Sequence, residues 1–199
     1  MCVIIIKPEN LQITHDTIKK CHDSNPHGSG IAIRKDSKTF RVDKGIRLDE
    51  LWNLVKTNMN KEMVIHFRLR SAGQISPEMC HPFPIDKNHN KLHYEAKSML
   101  FHNGTLPQFM GTRTTNQEFS DSYRLSKILR KVNKSEKNAL LNALSDRNKF
   151  VLIDRGKIST YGEWEIRNGL KFSNLYWDFD WWRKYYHYEV KDSKKIIRV

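Results

Sequence analysis

Met1-Cys2-Val3-Ile4-Ile5-Ile6 opens the chain, and its reading decides the fold. Four consecutive β-branched residues leave no polar face, so the run reads as a strand buried on both sides. Nothing ahead of it looks like a targeting peptide, and Cys2 therefore begins the fold itself. Methionine is generally trimmed before a small second residue, and cysteine qualifies. The processed chain then starts with one residue carrying both a thiol and a free α-amine. An α-amine titrates at about 7.7–8.0 and a thiol at about 8.5, so such a residue can supply its own general base. Taken alone, Cys2 also reads as a small apolar residue in a buried strand. The remainder of the chain has to choose between the two.

The 199 residues suffice for one domain with a substantial core. A hydrophobic content of 38% with 29% charged residues excludes a disordered chain, and no apolar run approaches the length of a membrane span. Lys and Arg number 35 against 22 Asp and Glu, a formal charge of +13 that suits a polyanionic partner such as nucleic acid, or an acidic protein. The basic residues are scattered, and their one dense cluster, Lys191, Lys194, Lys195 and Arg198, reads as a solvated tail. Three cysteines without framework spacing point to a reducing, cytoplasmic compartment. Cys21-His22 and Cys80-His81 invite a zinc reading, but adjacent residues rarely chelate one ion and no C-x-x-C pair is present. No metal or cofactor is expected.

Thr14 to Cys21 fits a short helix, and Ser24 to Gly30 a loop punctuated by Pro26 and two glycines. Strands are expected at Ile31–Ile33, Thr39–Val42, Met63–Arg68 and Ser98–His102. Leu51, Leu54 and Val55 give Leu48–Met59 an apolar helical face. Leu125, Ile128, Leu129 and Val132 recur at helical spacing, which predicts a helix over Ser122–Val132. A second helix carries Leu140, Leu141 and Leu144, with Ser135 as its expected cap. Hairpins are expected around Arg155-Gly156 and at Asn168-Gly169, the latter a dipeptide that favours the tight two-residue turn. Strands, then helices, then strands argue an α+β domain with helices on sheet faces. Residues 176–199 form an aromatic and basic extension whose Trp181, Trp182, Tyr185, Tyr186 and Tyr188 either complete the core or face a partner.

Four segments become informative together: Cys2 at the start, His66-Phe67-Arg68 and His102-Asn103-Gly104 at two strand ends, and Asp121 before a helix. Each has a plain explanation alone, as a surface ion pair, a turn or a helix cap. As a set they resemble the class II glutamine amidotransferase domain, a member of the N-terminal-nucleophile hydrolases. The resemblance includes Asn25-Pro26-His27-Gly28-Ser29-Gly30-Ile31-Ala32, His81-Pro82-Phe83, Asp154 to Gly162, and Gly169-Leu170-Lys171-Phe172-Ser173-Asn174. In order and spacing it covers roughly residues 2 to 175.

That resemblance implies a four-layer αββα sandwich and a glutaminase reaction. Cys2 is then the nucleophile that forms a γ-glutamyl thioester, with its own α-amine as base and then acid. Asn103 through its side-chain amide and Gly104 through its backbone N–H are implied as the oxyanion hole. Arg68 is implied to bind the glutamine α-carboxylate and Asp121 the α-ammonium. Ser71 to Phe83 falls where the family has a lid over the substrate. His66, His81 and His102 are expected to be scaffold, and a Cys80–His81 dyad is disfavoured because neighbours on an extended chain point apart.

Two departures stand out. Val3 follows Cys2 where many members have glycine, which suggests a narrowed pocket or a divergent subgroup. No synthase domain follows the amidotransferase-like region, which implies a stand-alone glutaminase subunit that hands ammonia to a separate synthase or nucleotide- or nucleic-acid-modifying partner. The alternatives are an N-terminal-cysteine amidase acting on another amide, and a catalytically silent basic binding protein on the same fold.

Overall fold

Residues Val3–Lys7 form β1, and all five side chains are buried: Val3–Ile6 as a run without a polar face requires, and Lys7 with its Nζ donating to the Pro8 and Leu11 carbonyls. The computed structural model describes residues 1–87, 90–110 and 118–179. Around β1 a seven-stranded antiparallel sheet assembles from β2 (Ser29–Arg34), β3 (Phe40–Ile46), β4 (Met63–Phe67), β6 (His93–Ala96), β10 (Glu165–Arg167) and β11 (Leu170–Phe172). Its order is β10-β11-β1-β4-β2-β3-β6, so the first strand lies inside the sheet, with β4 on one side and β11 on the other. A second antiparallel sheet runs β5-β7-β8-β9, from Phe83–Pro84, Ser98–Asn103, Lys149–Asp154 and Lys157–Tyr161.

Alternation along the strands divides the core into three parts. Ile4, Ile6, Ala32, Val42 and Val64 from the first sheet meet Met99, Phe101, Val151 and Ile153 from the second. The opposite face of the first sheet, with Val3, Ile5, Ile31, Ile65 and Phe172, packs on Ile18 and Cys21 of α1 (His15–Ser24) and on Leu51 and Val55 of α2 (Leu48–Thr57). The outer face of the second sheet, with Leu100, Phe150 and Leu152, packs on Leu125 and Leu129 of α3 (Asp121–Leu129) and on Leu141 of α4 (Lys134–Ala143). The fold is thus mixed α and β, with antiparallel sheets, as the element order implied. No helix among the described residues is long and apolar enough to cross a membrane.

Several local expectations need correction. The cap of α4 is Asn133, not Ser135: Asn133 and Glu136 exchange side-chain and backbone hydrogen bonds in a capping box, and Ser135 lies within the first turn. Ser120 caps α3 by accepting from the Tyr123 N–H, which leaves the Asp121 carboxylate free for other partners. Strand β6 was not foreseen, because Lys91 to Lys97 carries too few apolar residues to show alternation; register with β3 forms it, pairing Phe40 with Ala96 and Val42 with Tyr94. Both two-residue hairpins are present, with Arg155 and Asn168 at φ 50° ahead of Gly156 and Gly169. Of the aromatic extension, Trp177 packs on Phe172 at 5.3 Å while Tyr176 and Phe179 are exposed. Trp181, Trp182, Tyr185, Tyr186, Tyr188 and the Lys191–Arg198 cluster lie outside the described residues.

Candidate active site

The ends of β1, β4 and β7 bring the expected residues to one edge of the paired sheets. Cys2 precedes β1, Arg68 and Leu69 follow β4, and Asn103 ends β7. The half-buried Cys2 thiol lies 3.3 Å from both the N–H and the carbonyl oxygen of Leu69. Asn174 Nδ2 donates to the Cys2 carbonyl at 2.8 Å and fixes the backbone there. Burial pushes the thiol above its ordinary range; the Leu69 N–H, the chain-terminal ammonium and Arg68 draw it back down, and Asp121 opposes them. Arg68 and Asp121 therefore share the electrostatic neighbourhood of Cys2. A thiol held up by burial is neutral at pH 7, so nucleophilic use of it needs a base.

Arg68 is buried, and its Nη2 donates to the Ala72 carbonyl at 3.1 Å while Nη1 has no hydrogen-bond partner among the described residues. A buried guanidinium with a vacant donor is a fork open to an anion. Asp121, at the first position of α3, accepts from the Leu106 N–H at 2.7 Å through Oδ2 and from the Ser122 N–H at 2.7 Å through Oδ1. These bonds tie the turn after β7 to the start of α3.

Asn103 is buried with Oδ1 unpartnered and Nδ2 2.9 Å from Ser173 Oγ. Gly104 has φ 145°, and an added Cβ would come within 2.1 Å of Asn148 Oδ1. Glycine is required there for both reasons. Asn148 Oδ1 takes the Thr105 N–H and His102 Nε2, each at 3.0 Å, so one side chain braces the Asn103-Gly104-Thr105 turn.

The three histidines are buried. His66 Nε2 lies 3.2 Å from the His102 carbonyl, which makes it the donor, and burial lowers its pKa to about 3. His102 is bracketed by Ser122 Oγ at 2.8 Å and Asn148, with its ring stacked on Phe150. Because Asn148 Oδ1 accepts, His102 Nε2 carries the proton, while Ser122 Oγ lies between His102 Nδ1 and Asp121 Oδ1, the latter at 3.2 Å. His81 packs against His66 and Phe83, whereas the Cys80 thiol faces the His27 and Ser76 carbonyls, so the two neighbours occupy different surroundings. Among the described residues no group of three or more His, Cys, Asp or Glu side chains converges as a metal site would require.

Val3 does not narrow this site. Its side chain joins the helix-side core with Ile5, on the face opposite Ile4, so the residue after Cys2 points away from the second sheet. Two participants had no sequence signal of their own, Leu69, which acts through its backbone, and Asn148, which comes from a distant segment; Ser173 and Asn174 belong to the resembling stretch Gly169 to Asn174 but carried no assigned role there.

No protein-family model matches the chain. A curated relative, an uncharacterized protein of Methanocaldococcus jannaschii, is 28% identical, with the match covering 72% of this chain and 43% of the relative. Among solved structures, the chain is similar to glutamine phosphoribosylpyrophosphate amidotransferase from B. subtilis, complexed with ADP and GMP. That match has a TM-score of 0.52 and 17% identity, and covers 86% of this chain and 41% of the other. The chain thus spans less than half the length of either protein. The likeness to the amidotransferase is one of fold.

Proposed function

We propose that this chain is a glutamine amidotransferase domain of the N-terminal-nucleophile type, and that its two sheets and flanking helices form that type's four-layer αββα sandwich. The observation that carries the reading is the meeting of Cys2, Arg68, Asn103-Gly104 and Asp121 at one edge, with the thiol in the field of both Arg68 and Asp121. Once Met1 is removed, the α-amine of Cys2 takes the thiol proton. The sulfur attacks the side-chain amide carbon of glutamine. Asn103 Nδ2 and the Gly104 N–H receive the oxyanion, and removing one such donor typically costs about 2.7–4 kcal/mol of barrier. The protonated amine gives its proton to the leaving nitrogen, ammonia departs, and water hydrolyses the γ-glutamyl thioester to glutamate and free Cys2.

Selectivity for the free amino acid rests on Arg68 Nη1, which is buried and vacant, reading the α-carboxylate, and on Asp121 reading the α-ammonium. The segment Ser71 to Phe83, held to Arg68 through the Ala72 carbonyl and to Arg70 Nε through the Gly73 carbonyl, closes over the bound substrate. The ammonia passes to a separate cytoplasmic synthase or nucleotide- or nucleic-acid-modifying partner, which the +13 charge suits.

Incubation with the glutamine-analogue electrophile diazo-oxo-norleucine, followed by peptide mapping and intact mass, tests the reading. Label on Cys2 of Met1-free protein, absent from Cys2→Ala, is the expected result. Label elsewhere, or equal labelling of Cys2→Ala, overturns it. Turnover of simple amides in preference to glutamine would instead favour the other-amide hydrolase.

A further inference from the structure

Ser173 follows β11, and its hydroxyl stands between two parts of the site that no other side chain joins among the hydrogen bonds described here. Ser173 Oγ accepts the Ile4 backbone N–H at 2.8 Å and lies 2.9 Å from Asn103 Nδ2. The Ser173 N–H in turn donates to the Ile4 carbonyl at 2.9 Å. Ile4 is thus held from both its polar groups by one residue, two positions after the cysteine. All three residues are buried, with Ser173 at 1%, Ile4 at 0% and Asn103 at 2% exposure.

The amide of Asn103 has two ends and only one of them is engaged. Oδ1 is buried without a partner, an arrangement that costs about 1–3 kcal/mol in the absence of a ligand. The nitrogen and oxygen of such an amide are told apart by their hydrogen-bond partners, and Ser173 is the partner here. A hydroxyl that already accepts from Ile4 can take an Asn103 N–H on its second lone pair, or give its own proton to the Asn103 oxygen. In either state the rotation of the amide about its plane is fixed by the same hydroxyl. An N–H of Asn103 is left available to a ligand without the side chain having to reorganise.

We infer that Ser173 is the positioning residue of the oxyanion hole, locking the Asn103 amide to the backbone of the strand that carries Cys2 so that donor and nucleophile keep one fixed separation. The inference rests on the glutaminase reading above and adds a residue to it. Ser173 touches neither substrate nor sulfur; it acts through Asn103. An oxyanion donor is effective only when it is aimed before the charge develops, so loosening it lowers kcat more than it raises KM.

The test is a double-mutant cycle on full-length, Met1-processed protein, with glutaminase kinetics and the rate of Cys2 alkylation by iodoacetamide as paired readouts. Alkylation displaces iodide from a saturated carbon and passes through no oxyanion, so it reports Cys2 alone. Ser173→Ala is expected to lower kcat for glutamine by about ten- to a hundredfold, below the full loss of a donor, with KM and alkylation rate changed less than about threefold. Ser173→Thr, which keeps the hydroxyl, restores kcat to within about fivefold. In an Asn103→Ala background, Ser173→Ala adds less than about twofold, because the residue it positions is gone.

Equal loss of kcat and alkylation in Ser173→Ala, matched by Ser173→Thr, overturns the inference in favour of a role in holding β1. An unchanged kcat, or a full additional loss in the Asn103→Ala background, also overturns it. An inactive wild type that leaves glutamine untouched refutes the glutaminase reading itself, an outcome separable from all of these.

Discussion

Replacing Gly104 by alanine is the sharpest perturbation that the site offers. The residue has φ 145°, a conformation that side chains rarely adopt, and holding one there costs about 1–3 kcal/mol. The new Cβ would lie 2.1 Å from Asn148 Oδ1, 2.9 Å from Asn148 Cγ and 3.0 Å from His102 Nε2. Asn148 has to move, and it is anchored: its Nδ2 donates to the Leu144 carbonyl at 2.9 Å, while Oδ1 serves Thr105 and His102. Leaving one of those buried donors unpaired adds about 1–3 kcal/mol. The sum is about 2–6 kcal/mol, which at about 2–4 °C per kcal/mol for a chain of this size lowers Tm by some 4–24 °C. Circular-dichroism melting measures it. Asn148→Ala removes the obstructing atoms, so the double variant should be less destabilised than the sum of the singles by about 1–2 kcal/mol. A Gly104→Ala protein that melts within about 2 °C of wild type, or strict additivity in the double variant, refutes the reasoning.

Lys44 is fully buried, with Nζ donating to the Glu78 carbonyl at 2.9 Å and to Asn90 Oδ1 at 2.6 Å, and burial lowers its pKa from 10.5 to about 7. The unfolded chain then binds the extra proton between about pH 7 and 10.5, so stability rises with pH across that window, by up to about 5 kcal/mol from 3.5 units at 1.36 kcal/mol each. Lys44→Met is therefore expected to flatten the dependence of the urea midpoint on pH between 7 and 10. His66, with a folded pKa of about 3 against 6.5 unfolded, is held neutral, so the stability it contributes above pH 6.5 drains away as pH falls toward 3. Acid titration of His66→Gln should show a shallower loss than wild type over that range. Asn133→Ala removes the α4 cap and should cost about 1 kcal/mol, read as a lower urea midpoint at unchanged m-value.

The strands legible from sequence are those whose side chains decide their own fate. Val3–Lys7 and Met63–Phe67 are buried on both faces and announce it by the apolar runs Val3-Ile4-Ile5-Ile6 and Met63-Val64-Ile65. Both tight hairpins were visible because Asn168-Gly169 and Arg155-Gly156 each place glycine where φ is positive. Strand β6 was not visible, since His93, Tyr94 and Glu95 are held by the edge of β3 rather than by burial. The Asn133 cap was missed in favour of Ser135 because both residues suit a cap and only the reciprocal bond with Glu136 separates them. Residues at the candidate site divide the same way. Cys2, Arg68, Asn103, Gly104 and Asp121 stood out by type and order, whereas Ser173 and Asn148 contribute through contacts spanning 70 and 46 residues, to Asn103 and His102. Such contacts leave no periodicity to read.

The interior position of β1 also sets a timetable for synthesis. β1 receives one of its two neighbours long after it is made: Ile5 pairs with Ile65 on one side and with Phe172 on the other, and 172 − 5 is 167 residues. At about 5–20 residues per second the ribosome needs roughly 8–33 seconds to supply that second neighbour. Throughout the interval β1 keeps that edge open. Arrival of β11 closes it, and the same step brings Ser173 to Ile4 and Asn174 to the Cys2 carbonyl.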